Sequence, residues 1–457
     1  MRFIFCSVIA VFYLILSVAV AEPSVHEYTL KNGLKVLVKE DHRAPVVVSQ
    51  VWYKVGSSYE YGGITGISHI LEHMMFKGTK TLKPGDFSRI IAENGGRENA
   101  FTGRDYTAYF QRLENSRLKV SFKLEADRMR NLQLLEDEFE KERKVVQEER
   151  RLRTDDKPRS KTFEFFQATA FTNGGYKNPV IGWPDDIQQM TVTDLQQWYQ
   201  KWYAPNNATV VVAGDVDAEQ VFALAEEYFG FLQAGTLTKV KPRVEVQQTG
   251  VRRITVKLPA QLPYLIMGYK VPVLNTIDNE KDAYALEVLA GILDGGSSAR
   301  LASRLVRGKQ IAVSASASYD LYARLRSMFM INASPTREQS AAQLEKALLE
   351  EVQLLQTQTV TEEELDRVKA QVLANDTYEK DSIFYQAMQI GTLETVGLGW
   401  QKADEYVDRI NHVSAQDVME SAQKYLLVDK LSVAYLDPLP LEKSKPTPPV
   451  TGGRHAH

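Results

Sequence analysis

Cysteine is nearly absent from this 457-residue sequence, which contains only Cys6, inside an apolar segment. One cysteine cannot form a disulfide within the chain, so a disulfide-stapled fold is excluded. If the segment around Cys6 is removed during export, the remaining chain has no thiol nucleophile either. Any catalysis must then rely on other residue types.

The sequence also lacks an excess of charge of either sign: 55 Lys and Arg stand against 58 Asp and Glu, for a net charge of −3. Nucleic-acid-binding surfaces usually need a strongly basic balance or patch. We therefore expect no nucleic-acid partner. The hydrophobic content of 44% is typical of a globular protein, and the length predicts two or three domains.

Charge is missing altogether from residues 3–21, "FIFCSVIAVFYLILSVAVA". This run ends in the small-x-small pattern Ala19-Val20-Ala21, which is typical of a secretory signal peptide. We expect residues 1–21 to be cleaved off and the protein to reach the periplasm of a Gram-negative bacterium. The alternative is an uncleaved membrane anchor formed by residues 3–21, because the run almost spans a bilayer.

The chain carries an internal repeat. Residues 186–215 align without a gap with residues 409–438, pairing Ile187 with Ile410 and Val210 with Val433. In each copy a capped helix leads into a β-rich run. This duplication predicts an α+β fold of two homologous domains, residues 22–235 and 250–440, each a sheet with helices on one face. Residues 236–249 are predicted as the linker, and residues 441–457 as a disordered tail.

The motif "HILEH" is the strongest chemical signal in the sequence. On a helix, His69, Glu72 and His73 project to one side, because residues three and four apart are neighbours. Two neutral imidazoles one turn apart can bind a single Zn²⁺. Glu72 then lies where it can take a proton from water at the metal. Ser68 is available to cap the start of this helix.

A catalytic zinc usually has a third protein ligand and an open fourth position. The charged segment Glu136–Asp156 is predicted as a helix on which Glu142 and Glu149 share one side. One could bind the metal while the other holds a histidine. Spacing alone does not choose between Glu142, Glu148 and Glu149.

The inverted H-x-x-E-H order followed by this glutamate helix resembles the pitrilysin/insulinase family of zinc metallopeptidases, peptidase family M16. The resemblance extends over nearly the whole chain after residue 21 and is greatest to short bacterial members and mitochondrial processing peptidase subunits. It implies two homologous α/β-sandwich domains and one Zn²⁺ per chain. It also makes Glu149 the third ligand, Glu142 its supporting glutamate, and Glu148 an outward-facing neighbour.

The segment "NGGRENAFTGRDYTAYF" reads as a Gly-rich turn and an alternating strand. It too is similar to the family, where the corresponding strand borders the zinc cleft and pairs with the substrate backbone. The resemblance therefore implies that Asn99, Ala100 and Phe101 bind peptide substrates.

The sequence departs from the family in its second half. Complete single-chain members supply an arginine and, seven residues later, a tyrosine that bind the substrate carbonyl. Here the corresponding positions are Val306 and Val313, within "RLASRLVRGKQIAVSAS". Valine cannot donate a hydrogen bond to a developing oxyanion, and loss of such a donor costs about 10²–10³ in rate.

Two arrangements could compensate for this departure. A homologous subunit without zinc ligands could supply the Arg/Tyr pair in a heterodimer, which is the arrangement we favour. Alternatively, a local residue takes the role and the chain is a homodimer. The local candidates are Arg300, Arg304, Arg307 and Tyr319.

The sequence therefore predicts a zinc endopeptidase that cleaves extended or unfolded peptides with Glu72 as general base. Two alternatives belong to other classes: a non-catalytic assembly subunit of the same fold, and a peptide-binding protein in which zinc is only structural. The first would be expected to lose motif residues, and the second to have a fourth protein ligand.

Overall fold

The structure, a computed structural model, describes residues 25–237, 241 and 243–441. The predicted signal peptide and the predicted tail beyond residue 441 lie outside this range. Across the described residues, no helix combines the length and the apolar character needed to cross a membrane.

Strands and helices occur in both halves of the chain. The strands are β1 (Val25–Thr29), β2 (Lys35–Glu40), β3 (Val46–Tyr53), β4 (Arg97–Thr102), β5 (Thr107–Glu114), β6 (Ala208–Gly214), β7 (Arg252–Pro259), β8 (Tyr264–Val271), β9 (Ala312–Ser318), β10 (Ser327–Pro335) and β11 (Leu431–Leu439). The helices of the first half are α1 (Ile67–Met74), α2 (Asp86–Glu93), α3 (Leu118–Asn131), α4 (Glu136–Arg150), α5 (Pro158–Ala170), α6 (Pro184–Gln189), α7 (Val192–Trp202) and α8 (Ala218–Phe229). Those of the second half are α9 (Glu280–Leu293), α10 (Ala341–Thr357), α11 (Glu362–Lys380), α12 (Ile383–Val396), α13 (Lys402–Asn411) and α14 (Ala415–Tyr425).

Each half forms its own mixed sheet, with the strand orders β1-β2-β6-β3-β5-β4 and β7-β11-β8-β10-β9. In each sheet one pair is parallel, β2 with β6 and β7 with β11. The predicted repeat corresponds to α7–β6 and α14–β11, whose helices both begin with a capping box, at Thr191 and Ser414. Two homologous α+β domains are thus confirmed. By the same correspondence, the edge strands β4 and β9 are equivalent.

Each half contributes one helix that packs on the sheet of the other half, an exchange of helices within the chain that the sequence did not predict. We expected helices on one face of each sheet, but the other face is covered too, by a helix from the other half. Helix α12 packs on β3 and β6, where Ala387 and Ile390 join the buried Trp52. Helix α5 packs on β7 and β11, where Phe166 and Ala170 join Ile266. The apolar faces are therefore buried only when both halves are present.

Polar contacts also connect the halves. The buried carboxylate of Asp105 accepts a hydrogen bond from Ser58 Oγ at 2.7 Å and pairs with Arg324 Nε at 3.0 Å. In the predicted linker, Glu245 accepts the backbone N–H of Gly174 at 2.6 Å and pairs with Lys270. These contacts help hold the two halves together.

Candidate metal centre

Helix α1 carries the H-x-x-E-H motif and begins against a buried carboxylate. Glu60 accepts the backbone N–H groups of Gly66 at 2.7 Å and Ser68 at 2.9 Å, which satisfies donors at the helix start. The prediction that Ser68 caps α1 was wrong: Gly66, at φ +87°, is the N-cap residue, and Ser68 is already the second residue of the helix. Burial raises the pKa of Glu60 to about 7, more than these hydrogen bonds lower it.

One face of α1 is anchored in the core of the first half. Ile70, Leu71 and Met74 are all fully buried there. The opposite face carries His69, Glu72 and His73, whose rings and carboxylate therefore project together from a fixed helix. The His69 and His73 ring centroids lie 4.9 Å apart.

Glu149, near the end of α4, meets both histidines. Its Oε2 lies 3.4 Å from His73 Nε2 and 3.8 Å from His69 Nε2. One potential ligand atom from each of the three residues lies within 4.8 Å of the other two. Two imidazoles and a carboxylate are a common donor set for Zn²⁺, with bonds of about 2.0–2.2 Å. The residues present therefore fit a zinc ion.

A contact of the other ring nitrogen, Nδ1, sets the orientation of His73. His73 Nδ1 lies 3.0 Å from Glu142 Oε2, and Lys77 Nζ donates to the other oxygen of Glu142 at 2.7 Å. With the proton on Nδ1, the Nε2 lone pair of His73 faces Glu149. Burial, with a smaller contribution from the charge of His73, lowers the pKa of His69 to about 3. A neutral imidazole is the form that binds metal.

Glu72 is next to this group without belonging to it. Its Oε2 accepts a hydrogen bond from Thr102 Oγ1 of β4 at 2.5 Å. Burial raises the pKa of the Glu72 carboxyl, opposed by the Thr102 hydrogen bond. Glu148 points away from the site and pairs with Arg151 at 2.6 Å.

Arg153 also belongs to this site, and the sequence did not single it out. Its Nη1 lies 2.6 Å from Glu149 Oε1, the oxygen that does not face the histidines. It sits in a π-helical turn, Arg151–Asp155, that follows α4 directly. The i,i+4 spacing from Glu149 was the only sequence signal, and the chain has many such pairs.

The histidines open into a cleft of about 880 Å³ between the halves. Asn99, Ala100 and Phe101 line it, and their strand β4 is the edge of its sheet. The Ala100 N–H donates to the Asn99 side chain at 2.9 Å. Other residues of the lining were not predicted from the sequence. They come from the loop that begins at Asn178 (Asn178, Pro179, Val180 and Ile181), from α5 (Phe163 and Gln167) and from the second sheet (Tyr264 and Asn332).

Two of the residues considered as local substitutes for the missing Arg/Tyr pair, Arg300 and Tyr319, are engaged elsewhere. Arg300 makes two hydrogen bonds of 2.7 Å to Glu364, and Tyr319 donates to the Pro272 carbonyl at 2.7 Å. Within the described part of the chain, the lining of the cleft beside His69 and His73 includes none of the four candidates, Arg300, Arg304, Arg307 and Tyr319. Val313 is on the edge strand β9 with 54% of its surface exposed.

Family models match both halves of the chain. The model described as insulinase (peptidase family M16) matches residues 35–183, and the model described as peptidase M16 inactive domain matches residues 189–372. A relative from Helicobacter pylori named zinc protease PqqE is 38% identical over 352 residues, which are 76% of this chain and 78% of that protein.

Solved structures agree with these matches. The crystal structure of a protease from Helicobacter pylori superimposes with a TM-score of 0.86 at 32% identity, covering 91% of this chain and 100% of that one. A peptidase M16 inactive domain from Pseudomonas fluorescens has the same fold, with a TM-score of 0.82 at 19% identity over 92% of this chain and 99% of that one. The inverted motif, the paired domains and these matches together show that the chain belongs to peptidase family M16, the insulinase family.

Proposed function

We propose that this protein is a zinc-dependent endopeptidase that hydrolyses extended or unfolded peptides. The observation that carries the proposal is the convergence of His69 Nε2, His73 Nε2 and Glu149 Oε2 in the cleft that the Glu72 carboxyl also lines. The name zinc protease, given to the Helicobacter pylori relative, supports both the metal and the reaction class. One Zn²⁺ per chain would be held by His69, His73 and Glu149.

The chemistry follows from the positions of these residues. Zn²⁺ in such a site supplies a Lewis acid that polarises a carbonyl and lowers the pKa of water. Glu72 accepts one proton from the attacking water, whose oxygen forms a bond to the peptide carbonyl carbon. The C–N bond then breaks, and Glu72 returns the proton to the leaving amine. Thr102 holds one oxygen of Glu72 and thereby orients the other.

The substrate would bind as an added strand. Strand β4 lies at the edge of its sheet and lines the cleft, so Asn99, Ala100 and Phe101 can offer outward-facing backbone groups to an extended chain once the Ala100 N–H leaves the Asn99 side chain. This mode of binding requires an unfolded or flexible segment, because the peptide must lie flat along the edge.

The missing carbonyl-binding pair suggests a second subunit. Arg300 and Tyr319 are engaged away from the cleft, which supports the heterodimer over the homodimer. We propose a homologous partner that supplies the donors, and a periplasmic location following from the predicted signal peptide. Anchoring by residues 3–21 is the alternative.

The second candidate function is a non-catalytic assembly or peptide-binding subunit. Val306 and Val313, in place of the carbonyl-binding residues, favour it. The site itself argues against it, because His69, Glu72, His73 and Glu149 are all present and only three potential zinc ligands converge among the described residues. A structural zinc would be expected to have four protein ligands.

The test uses the purified chain, alone and with a homologous partner encoded nearby. We expect about one zinc per chain, cleavage of an unstructured fluorogenic peptide, loss of cleavage with 1,10-phenanthroline, and recovery on adding Zn²⁺. Glu149→Gln should lose the metal, whereas the matched exposed change Glu148→Gln should retain it. A zinc-loaded chain that cleaves no peptide, with or without the partner, would contradict the proposal.

A further inference from the structure

Three arginines line the cleft that contains the metal centre: Arg104, Arg153 and Arg159. They come from different elements. Arg104 follows the edge strand β4, Arg153 belongs to the π-helical turn after α4, and Arg159 lies in the first turn of α5. They therefore surround the space in which a peptide along β4 would lie.

Arg104 has no acidic partner within ion-pair distance among the described residues, although it is only partly exposed. Its guanidinium lies 5.0 Å from the centre of the Tyr176 ring, which fixes its position without neutralising its charge. The charge of Arg104 lowers the pKa of Asp320, but burial outweighs this effect and raises that pKa overall. Asp320 thus interacts electrostatically with Arg104, but no ion pair joins the two side chains among the described residues.

Arg159, like Arg104, forms no ion pair among the described residues. Its Nη2 donates to the neutral Ser334 Oγ at 2.9 Å, and its guanidinium lies 4.8 Å from the centre of the Tyr264 ring. Of the carboxylates that the structure describes, none pairs with Arg159. It is thus held by a hydroxyl and an aromatic ring, neither of which carries a compensating charge.

The carboxylates that line the cleft are already engaged. Glu149 faces the two histidines and Arg153, and Glu72 is held by Thr102. Glu164 receives Arg150 Nη1 at 2.7 Å and Lys161 Nζ at 2.9 Å, so two cations already neutralise it. The guanidinium groups of Arg104 and Arg159 form no ion pair among the described residues, so they remain available to a molecule that enters the cleft.

We infer that the peptide bound in this cleft carries carboxylates close to the scissile bond, which Arg104 and Arg159 bind. This inference rests on the proposed peptidase function and names its substrate class. Arginine is well suited to the role, because its planar guanidinium can bind a carboxylate through two parallel hydrogen bonds. The carboxylate can come from Asp or Glu side chains or from a peptide C-terminus.

The experiment compares quenched fluorescent peptides of one unstructured sequence, blocked at both ends, with Gln, Glu or Lys on either side of the cleaved bond. A fourth peptide keeps Gln on both sides of the cleaved bond but ends in a free C-terminal carboxylate two residues after that bond. We expect kcat/KM to be roughly tenfold higher for Glu than for Gln, and lower still for Lys, as for charge-assisted contacts in a partly buried site.

Variants connect this preference to the arginines. Arg104→Gln and Arg159→Gln should bring the Glu-to-Gln ratio of kcat/KM close to one, and Arg104→Glu should shift the preference towards the Lys peptide. Arg337→Gln is the matched control, because Arg337 is exposed in the turn between β10 and α10 and lies outside the cleft lining. It should keep the wild-type ratio.

The outcomes separate this inference from the proposed function. Equal cleavage of the Gln, Glu, Lys and free-terminus peptides would overturn the inference and leave the peptidase intact. A preference for the free-terminus peptide alone would support it, with the C-terminal carboxylate as the source. If no peptide is cleaved, the affinities of the Glu and Gln peptides for the Glu72→Gln variant are compared instead. Tighter binding of the Glu peptide would support the inference even though the protein is not a peptidase. Equal affinities would overturn the inference.

Discussion

His73 and Glu142 are joined by a 3.0 Å contact between Nδ1 and Oε2, and Lys77 holds the other oxygen of the same carboxylate at 2.7 Å. This contact sets which nitrogen of His73 carries the proton and which faces the metal site. The ion pair between Lys77 and Glu142 helps to keep this contact in place, because a carboxylate bound through its second oxygen cannot easily rotate away from the His73 ring.

Replacing Glu142 by Gln is therefore expected to weaken zinc binding by about 10–100-fold without removing a ligand. The amide can still accept from His73, but it loses the charge that favours the Nδ1 proton and the ion pair with Lys77. Competition with a fluorescent zinc chelator measures the affinity. Glu138→Gln, on the same helix and paired with Lys141 at 2.6 Å, is the control. Equal zinc affinities for the two variants would show that Glu142 does not act on His73.

The packing of helix α12 on the first sheet predicts that a substitution at Gly391 lowers the stability of the protein. A Cβ at this position would overlap the indole of the fully buried Trp52. Gly391→Ala is expected to lower the free energy of unfolding by about 1–3 kcal/mol, the usual cost of overpacking a core. Urea denaturation measures this, with Gly62→Ala as control, since a Cβ there meets no atom within 4 Å. A neutral Gly391→Ala would contradict the exchanged packing.

The buried carboxyl of Glu60 predicts a pH dependence of stability. Its pKa is about 7 in the folded protein and about 4.5 when unfolded. An acid with a raised folded pKa destabilises the fold as pH rises from the lower value to the higher, because only the unfolded chain releases the proton in that range. Between pH 5 and pH 8 this amounts to about 2–3 kcal/mol.

Glu60→Gln removes this titration. The free energy of unfolding of the variant should therefore fall less between pH 5 and pH 8 than that of the wild type. The variant also loses one hydrogen bond at the start of α1, which lowers its stability at every pH alike. Unfolding by urea at the two pH values separates the two effects. Parallel changes in both proteins would show that Glu60 is ionised throughout.

Local patterns were enough to predict much of this molecule. The spacing of His69, Glu72 and His73 depends only on helix geometry, and the repeat around Thr191 and Ser414 can be read from the chain directly. The choice of Glu149 over Glu142 came from family resemblance, because both lie on one side of α4.

The remaining features depend on contacts between distant segments. The cap of α1 comes from Glu60, outside the helix, whereas local rules favoured Ser68. The exchange of α5 and α12 cannot be inferred from amphipathic patterns, which show that a face is apolar but not which sheet covers it. Arg104 and Arg159 line one cleft although they lie on elements that are distant in sequence.

The central claim is that Glu72 is the general base beside a zinc held by His69, His73 and Glu149. Glu72→Gln tests it most directly, because the amide keeps the shape of the side chain but cannot accept the proton. The zinc-loaded variant should bind metal as the wild type does and lose at least about 10²-fold in kcat on an unstructured peptide. A variant that retains zinc and cleaves at the wild-type rate would contradict the account.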